Sequence, residues 1–342
     1  MYQASFKKLT LEFKRAAGTS RGILKTKNSW IISICESSNP SFVGKGEASI
    51  IENLSPEWSD KFEDKLNTVL KNINDYAQDL SALQDYPSIR FGIEMALQNL
   101  KVKKEHIYLP SHFTDKEEGI TINGLIWMGE KSYMLEQIKS KLEQGFNCVK
   151  LKIGAIDFEA ELELLKYIRS KFSKDTVELR VDANGAFKPE DALSKLNQLA
   201  LFDIHSIEQP IMAGQIEYMH ELCRKTPLAI ALDEELIGVN GCENKTQLIQ
   251  SIKPQYIILK PSLVGGFESS DEWIKAAEEN NVGWWITSAL ESNIGLNAIA
   301  QYTFKKNNPM PQGLGTGLLY TNNVDSPLKI EGDQLKFVPS KM

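Results

Sequence analysis

The hydrophobic and polar positions of this chain change their rhythm twice. To about residue 53, the stretches LTLEF, SWIISIC and GKGEASII are β-prone, separated by the turn-rich AAGTSRG and ESSNPS. Short β-prone runs between turn formers predict strands. A helical period follows. In SPEWSDKFEDKLNTVLKNI, Ser55-Pro56 places a cap residue before a proline, a pair that predicts a helix start. PSIRFGIEMALQNL mixes Ile89, Phe91, Ile93, Met95 and Leu97 with small residues, as a largely buried helix does. The first hundred residues therefore predict an α+β unit.

After a loop at 109–120, strand and helix patterns alternate strictly. The strands are TINGLIWM, NCVKLKI, TVELRVD, IHSIE, PLAIALD, QYIILK, GWWITS and the stretch around QGLGTG; helical patterns such as EAELELLKYIRSKF and PEDALSKLNQLALF lie between them. Parallel neighbours need long crossovers, so regular β-α repetition predicts a parallel sheet. Eight units in about 200 residues suit a closed barrel with its active site at the C-terminal rim. An open doubly wound sheet would carry a Gly-rich phosphate turn after an early strand. Here the one candidate, Gly313-Leu314-Gly315-Thr316-Gly317, comes last. The expected division is a capping domain at 1–108 and a barrel at 109–319. A tail at 320–342 leaves the pattern and returns to the capping domain.

Composition narrows the function classes. A net charge of -6 argues against a nucleic-acid or anionic-membrane partner. No apolar run reaches the about 18 residues of a membrane span, and the N-terminus lacks a signal-peptide core. Four scattered cysteines without a Cys-x-x-Cys pair fit reduced thiols in a cytoplasmic protein and no structural zinc.

The strand VKLKIG carries the first chemistry. Alternation aims Val149, Leu151 and Ile153 one way, Lys150 and Lys152 the other. Strand ends further on bear Asp182, Glu208, Asp233 and Lys260, recurring at intervals of 25 to 30 residues. One β-α unit takes about 30 residues, so each charge falls at the same height on the barrel rim. By parity Asp182 shares a face with Arg180 and Asn184, Asp233 with Ala229 and Ala231, and Lys260 with Ile258 and Tyr256. Three carboxylates so close cannot all ionise without a cation, and all-oxygen ligands favour Mg²⁺ or Mn²⁺. Lysines on both sides of such an ion suit proton transfer next to a carboxylate, with Lys150 lowering the pKa of Lys152 toward that of a base.

Taken singly, each motif has a plainer reading. Lys-x-Lys fits an edge strand, Asp233-Glu234-Glu235 a helix start, Asp182-Ala-Asn-Gly a turn and Lys260-Pro261 a strand end. Unconnected surface charges would not recur once per unit. His205 and His220 read as structural or solvated, and Trp284-Trp285 as core.

Lys-x-Lys, Asp182 in RVDANGAF, Glu208 in IEQP, Asp233 in LDEEL and Lys260 in ILKPS together resemble the enolase superfamily, in its muconate-lactonizing-enzyme-like subgroup. The resemblance spans nearly the whole chain. It implies a modified TIM barrel of (β/α)7β type under an α+β capping domain, with Mg²⁺ on Asp182, Glu208 and Asp233, Lys152 as base and Lys260 as a stabilising cation. TSRGILKTKNSWIISI, LRVDANGAF and SALESNIGL look most like members that dehydrate 2-succinyl-6-hydroxy-2,4-cyclohexadiene-1-carboxylate to an aromatic acid in menaquinone biosynthesis. Racemases of N-acylamino acids and dipeptide epimerases share the frame and are the alternatives. The stretch GLGTG lacks the Asp-x-Asp with which epimerases hold an amino group, which counts against that reading. From another class, a catalytically silent barrel could serve as a binding module. The resemblance also implies substrate contacts from Ser20 and Arg21 in a closing loop, from Ser288, Glu291 and Ser292, and from Gly315 and Thr316, and Asn184 is expected to be a further substrate contact. Glu235 stands where many relatives have serine, and parity points it away from the site.

Overall fold

A computed structural model of the chain describes residues 1–19 and 22–338. It opens with an antiparallel meander of β1 (Tyr2–Thr19), β2 (Gly22–Glu36) and β3 (Asn39–Ser49). Alternation places Trp30, Ile32 and Ile34 on one face, against α1 (Phe62–Lys71), α2 (Ile73–Tyr76) and α3 (Pro87–Val102). Phe62, Leu66, Ile73, Ile89 and Ile93 complete this core. Glycines set how closely α3 approaches β3. A Cβ on Gly46 would stand 1.8 Å from the Gly92 carbonyl oxygen, so only glycine lets the two backbones meet. The Ser55-Pro56 signal does not start a helix. The Ser55 hydroxyl instead accepts from the Ile51 amide at 2.9 Å and closes a turn, and α1 begins at Phe62.

The expected strand TINGLIWM divides into β4 (Ile120–Thr121) and β5 (Gly124–Ile126). From β5 the sheet runs in parallel through β6 (Cys148–Lys152), β7 (Glu178–Asp182), β8 (Ser206–Glu208), β9 (Ile230–Leu232), β10 (Tyr256–Leu259) and β11 (Gly283–Ile286). The crossovers are α4 (Lys131–Glu143), α5 (Phe158–Lys171), α6 (Pro189–Ala200), α7 (Ile216–Lys225), α8 (Cys242–Ile252), the pair α9 (Pro261–Val264) and α10 (Gly266–Glu279), and then α11 (Asn293–Lys306). Strand parity sorts the layers as the sequence implies. Val149, Leu151, Leu179, Val181, Ile230 and Leu232 pack in the large core with helix residues such as Leu164 and Leu196. Ala231, Ile258 and Trp285 form a separate small cluster, as residues of the opposite parity should.

Two residues close the ring. Gln312 bridges in parallel to Ile122, and Gly313 to Thr287, so the eighth position of the barrel is filled by a pair of bridges rather than a full strand. A Cβ on Gly313 would lie 1.9 Å from the Thr287 hydroxyl, which makes glycine the residue for this closure. The Gly-rich stretch is thus a seam, not a phosphate loop. The fold is a modified TIM barrel with a capping sheet at its N-terminus.

The tail corrects one expectation. Among its described residues only the start meets the capping sheet, where Tyr320 bridges to Phe13 and the Thr321 amide donates to the Glu12 carbonyl at 2.9 Å. Beyond that, β12 (Leu328–Glu331) and β13 (Gln334–Phe337) form a hairpin that pairs with β4 and sets Phe337 against Phe113. The exposed edge of β4 supplies the backbone partners that draw the hairpin there.

Candidate active site

Register brings the charged residues together. Lys152 pairs with Asp182, and Asp182 with Glu208, across neighbouring parallel strands. The Lys150 ammonium contacts Asp182 Oδ2 at 3.0 Å and donates to Glu208 Oε2. Lys152 donates to Asp182 Oδ2 at 2.9 Å and to Asn184 Oδ1 at 2.6 Å. Lys260 donates to Asp233 Oδ2 and lies 3.6 Å from Glu208 Oε1. All three carboxylates are buried. Asp182 lines a cavity of about 270 Å³ together with Lys150, Lys152 and Lys260, and Leu24 and Ile51–Leu54 of the capping region reach it too.

Burial and mutual charge set the electrostatics. Burial raises Glu208, the Asp182 carboxylate raises it further, and Lys150 and Lys260 only partly offset this, leaving its pKa at about 7. Asp182 is also pushed up by burial, but Lys150 and Lys152 outweigh that and hold it well below the usual carboxylate range. Burial lifts Asp233 against the opposing pull of Lys260. Burial would lower Lys150 and Lys260, yet the carboxylates around each win and raise both.

This arrangement corrects the charge argument made from sequence. Lys150, Lys152 and Lys260 already set three positive charges against Asp182, Glu208 and Asp233. Lys150 bridges two of those carboxylates. Among the described residues, no three His, Cys, Asp or Glu side chains are spaced as a ready metal cage. One observation still suits a cation. Glu208 Oε1 is buried without a hydrogen-bond partner, and it belongs to an all-oxygen donor set.

Of the other sequence-predicted residues, Ser288, Gly315 and Thr316 line the cavity, with the Ser288 and Thr316 hydroxyls 2.6 Å apart. Asn184 lines it too, and its amide also donates to Glu234 Oε1 at 3.0 Å. Glu291 and Ser292 do not line it. Leu290 adopts a left-handed φ of 65°, which turns the chain so that both are buried at the junction with the capping domain. Ser20 and Arg21 lie outside the described residues. Glu235 accepts from Gln209 and from the Gly214 amide, away from the cavity. His205 packs against Tyr256 with ring centres 4.9 Å apart, and His220 faces the Ile252 carbonyl. Sequence reasoning missed Asn123, Leu125 and Trp127, which all line the cavity. Their spacing of two within TINGLIWM was the available signal, since alternate strand residues share a face. The Lys152 ammonium stands 5.9 Å from the Trp127 ring centre.

Residues 133–339 match the enolase C-terminal domain-like family. The chain belongs to that family. An o-succinylbenzoate synthase from Desulfotalea psychrophila is 44% identical over 97% of this chain and 98% of its own length. The crystal structure of MenC from Desulfotalea psychrophila LSv54 aligns with a TM-score of 0.88 at 41% identity, covering 98% of this chain and 99% of that one. A dipeptide epimerase from Enterococcus faecalis V583, complexed with Mg and L-Leu-L-Tyr, shares the fold with a TM-score of 0.80 at 19% identity, over 98% of this chain and 96% of its own. In this chain the lysines stand on β6 and directly after β10, with the carboxylates between them in strand order.

Proposed function

We propose that this chain catalyses the o-succinylbenzoate synthase reaction. Water is eliminated from 2-succinyl-6-hydroxy-2,4-cyclohexadiene-1-carboxylate to give an aromatic acid in menaquinone biosynthesis, as a carbon-oxygen lyase. The observation that carries this reading is the pair of ammonium groups, Lys152 and Lys260, flanking one carboxylate cluster and lining one cavity. Near full-length likeness to a synthase at 44% identity supports the choice of reaction. The cavity wall at Gly313–Gly317 offers no carboxylate for a substrate amino group, which separates this site from the epimerase alternative.

Lys152, held by Asp182 and Asn184, first releases its ammonium proton to solvent and, as the neutral amine, is the base that takes the proton α to the ring carboxylate. The C–H electron pair moves into the ring carboxylate as an enediolate. It then returns to form the new double bond as the C–O bond breaks. Lys152 gives its proton to the departing hydroxide, so water leaves and the lysine is neutral again. Lys260 stays cationic and faces the negative charge as it grows. Asp182, Glu208 and Asp233 are the groups that would hold Mg²⁺, or Mn²⁺, once the Lys150 and Lys260 ammoniums yield their oxygens. When bound, that ion supplies positive charge beside the substrate carboxylate and so acidifies its α-proton. Trp127 and Leu125 line the cavity on the side of β5 and give it an apolar wall.

The test is a substrate comparison with purified protein and Mg²⁺. Rising absorbance from aromatisation supports the synthase reading. Loss of optical rotation from an N-acylamino acid without aromatisation would assign a racemase, and no turnover of either would leave a binding module.

A further inference from the structure

The capping domain reaches the barrel through buried charges that the chemistry above does not use. Glu47 on β3 is fully buried, and its carboxylate grips the start of α11. Oε1 accepts from the Ser292 amide at 2.8 Å; Oε2 accepts from the Ser292 hydroxyl at 2.5 Å and the Gly295 amide at 2.8 Å. A Cβ on Gly295 would sit 2.9 Å from that same oxygen, so the glycine keeps the contact open. Glu291, also fully buried, accepts from the Ala289 amide at 2.8 Å and from the Ser262 hydroxyl. Lys27 on β2 is buried as well and donates to Ser49. Burial lowers its pKa, and the nearby charges of Glu47 and Glu291 oppose that shift without reversing it.

Both barrel segments held this way carry cavity residues. Ser288, Ala289 and Leu290 form a wall of the cavity just before Glu291. Ser262 lies in α9, whose Leu263 and Val264 amides donate to the Lys260 carbonyl at 2.8 and 3.1 Å. We infer that Glu47 is a positioning residue: with Lys27 and Glu291 it forms a latch that fixes the Ala289–Leu290 wall and the Lys260 turn relative to each other. A buried carboxylate at a helix start is stabilised by the free amides there, and removing one charge of a buried set strands its partners. The latch therefore couples docking of the capping domain to the geometry of the ammonium after β10.

The test rests on the synthase reading for its kinetic arm alone. In the full-length chain, Glu47→Gln, Lys27→Met and the double variant are compared with wild type. The readouts are amide hydrogen exchange at 289, 292 and 295, and kcat and KM. Glu47→Gln is expected to speed exchange at Ser292 and Gly295, and to lower kcat/KM about tenfold, mostly in kcat, as displaced catalytic geometry does. Lys27→Met leaves two like charges together, so the double variant recovers part of its loss. Wild-type exchange and kcat in Glu47→Gln would overturn the latch, as would losses that simply multiply in the double variant. Should both single variants fail to fold, Ser262→Ala removes one hydroxyl donor to Glu291. Faster exchange at Ala289 with lower kcat then supports the latch, and no change in either overturns it. A wild-type protein that does not turn over the diene substrate would sink the functional reading, while exchange at these amides still decides the latch.

Discussion

Asn184 sits in the left-handed region at φ 43° and uses both ends of its amide, accepting from Lys152 and donating to Glu234. The sequence pattern set it among the substrate contacts; in the structure it also holds the proposed base. Asn184→Leu should therefore leave Lys152 present but loosely aimed. The expected result is a fall in kcat of about 100-fold with a smaller change in KM, measured by steady-state kinetics. Residues of this kind divide sharply in how far the sequence disclosed them. Lys150, Lys152, Asp182, Glu208, Asp233 and Lys260 were legible because strand parity and a fixed β-α interval are properties of order along the chain. Glu291 and Ser292 were not, because one left-handed residue, Leu290, reversed their direction. The ammonium bridges were also hidden, since which oxygen a lysine reaches depends on register between strands rather than on spacing within one.

Among the elements, the seating of α3 on β3 depends on backbone contact at Gly44, Gly46 and Gly92. Gly46→Ala should overpack that seam and lower stability by ~1–3 kcal/mol, seen as a drop in Tm by thermal unfolding. Helix starts offer a second test. Glu94 on α3 accepts from the Phe267 and Glu268 amides at 2.6 and 3.0 Å, at the start of α10. Burial raises its carboxyl to about 7 despite those amides and Arg90, and Glu268 adds to the rise. The folded chain then binds this proton more tightly than the unfolded chain does. The contribution to stability is therefore largest below the ordinary glutamate range, falls as pH rises toward about 7, and is flat beyond. Glu94→Gln should flatten part of that fall when Tm is compared at pH 5 and pH 8; an unchanged slope would contradict it. At this scale the alternation of strand and helix was legible from period alone. The two-residue closure at Gln312–Gly313 and the hairpin on β4 were not, because each is defined by a partner distant in sequence.

For the whole molecule, the barrel supplies the charges, and the capping domain covers them and braces two of the loops that hold them. The described residues contain no helix long and apolar enough to cross a membrane. The chemistry proposed for the assembly needs a divalent ion where ammonium groups now bridge the carboxylates. Treatment with EDTA should lower turnover by at least ~100-fold, and Mg²⁺ should restore it. Activity that survives exhaustive chelation would remove the ion from the account. The central claim is narrower: one lysine at the end of β6 moves the proton that starts the reaction. Its most direct measurement is the aromatisation rate of Lys152→Ala beside wild type, with Mg²⁺ and the cyclohexadiene substrate, in protein whose circular dichroism and Tm match. The account predicts a rate reduced by more than ~1,000-fold. A variant that still forms the aromatic acid within tenfold of wild type would contradict it.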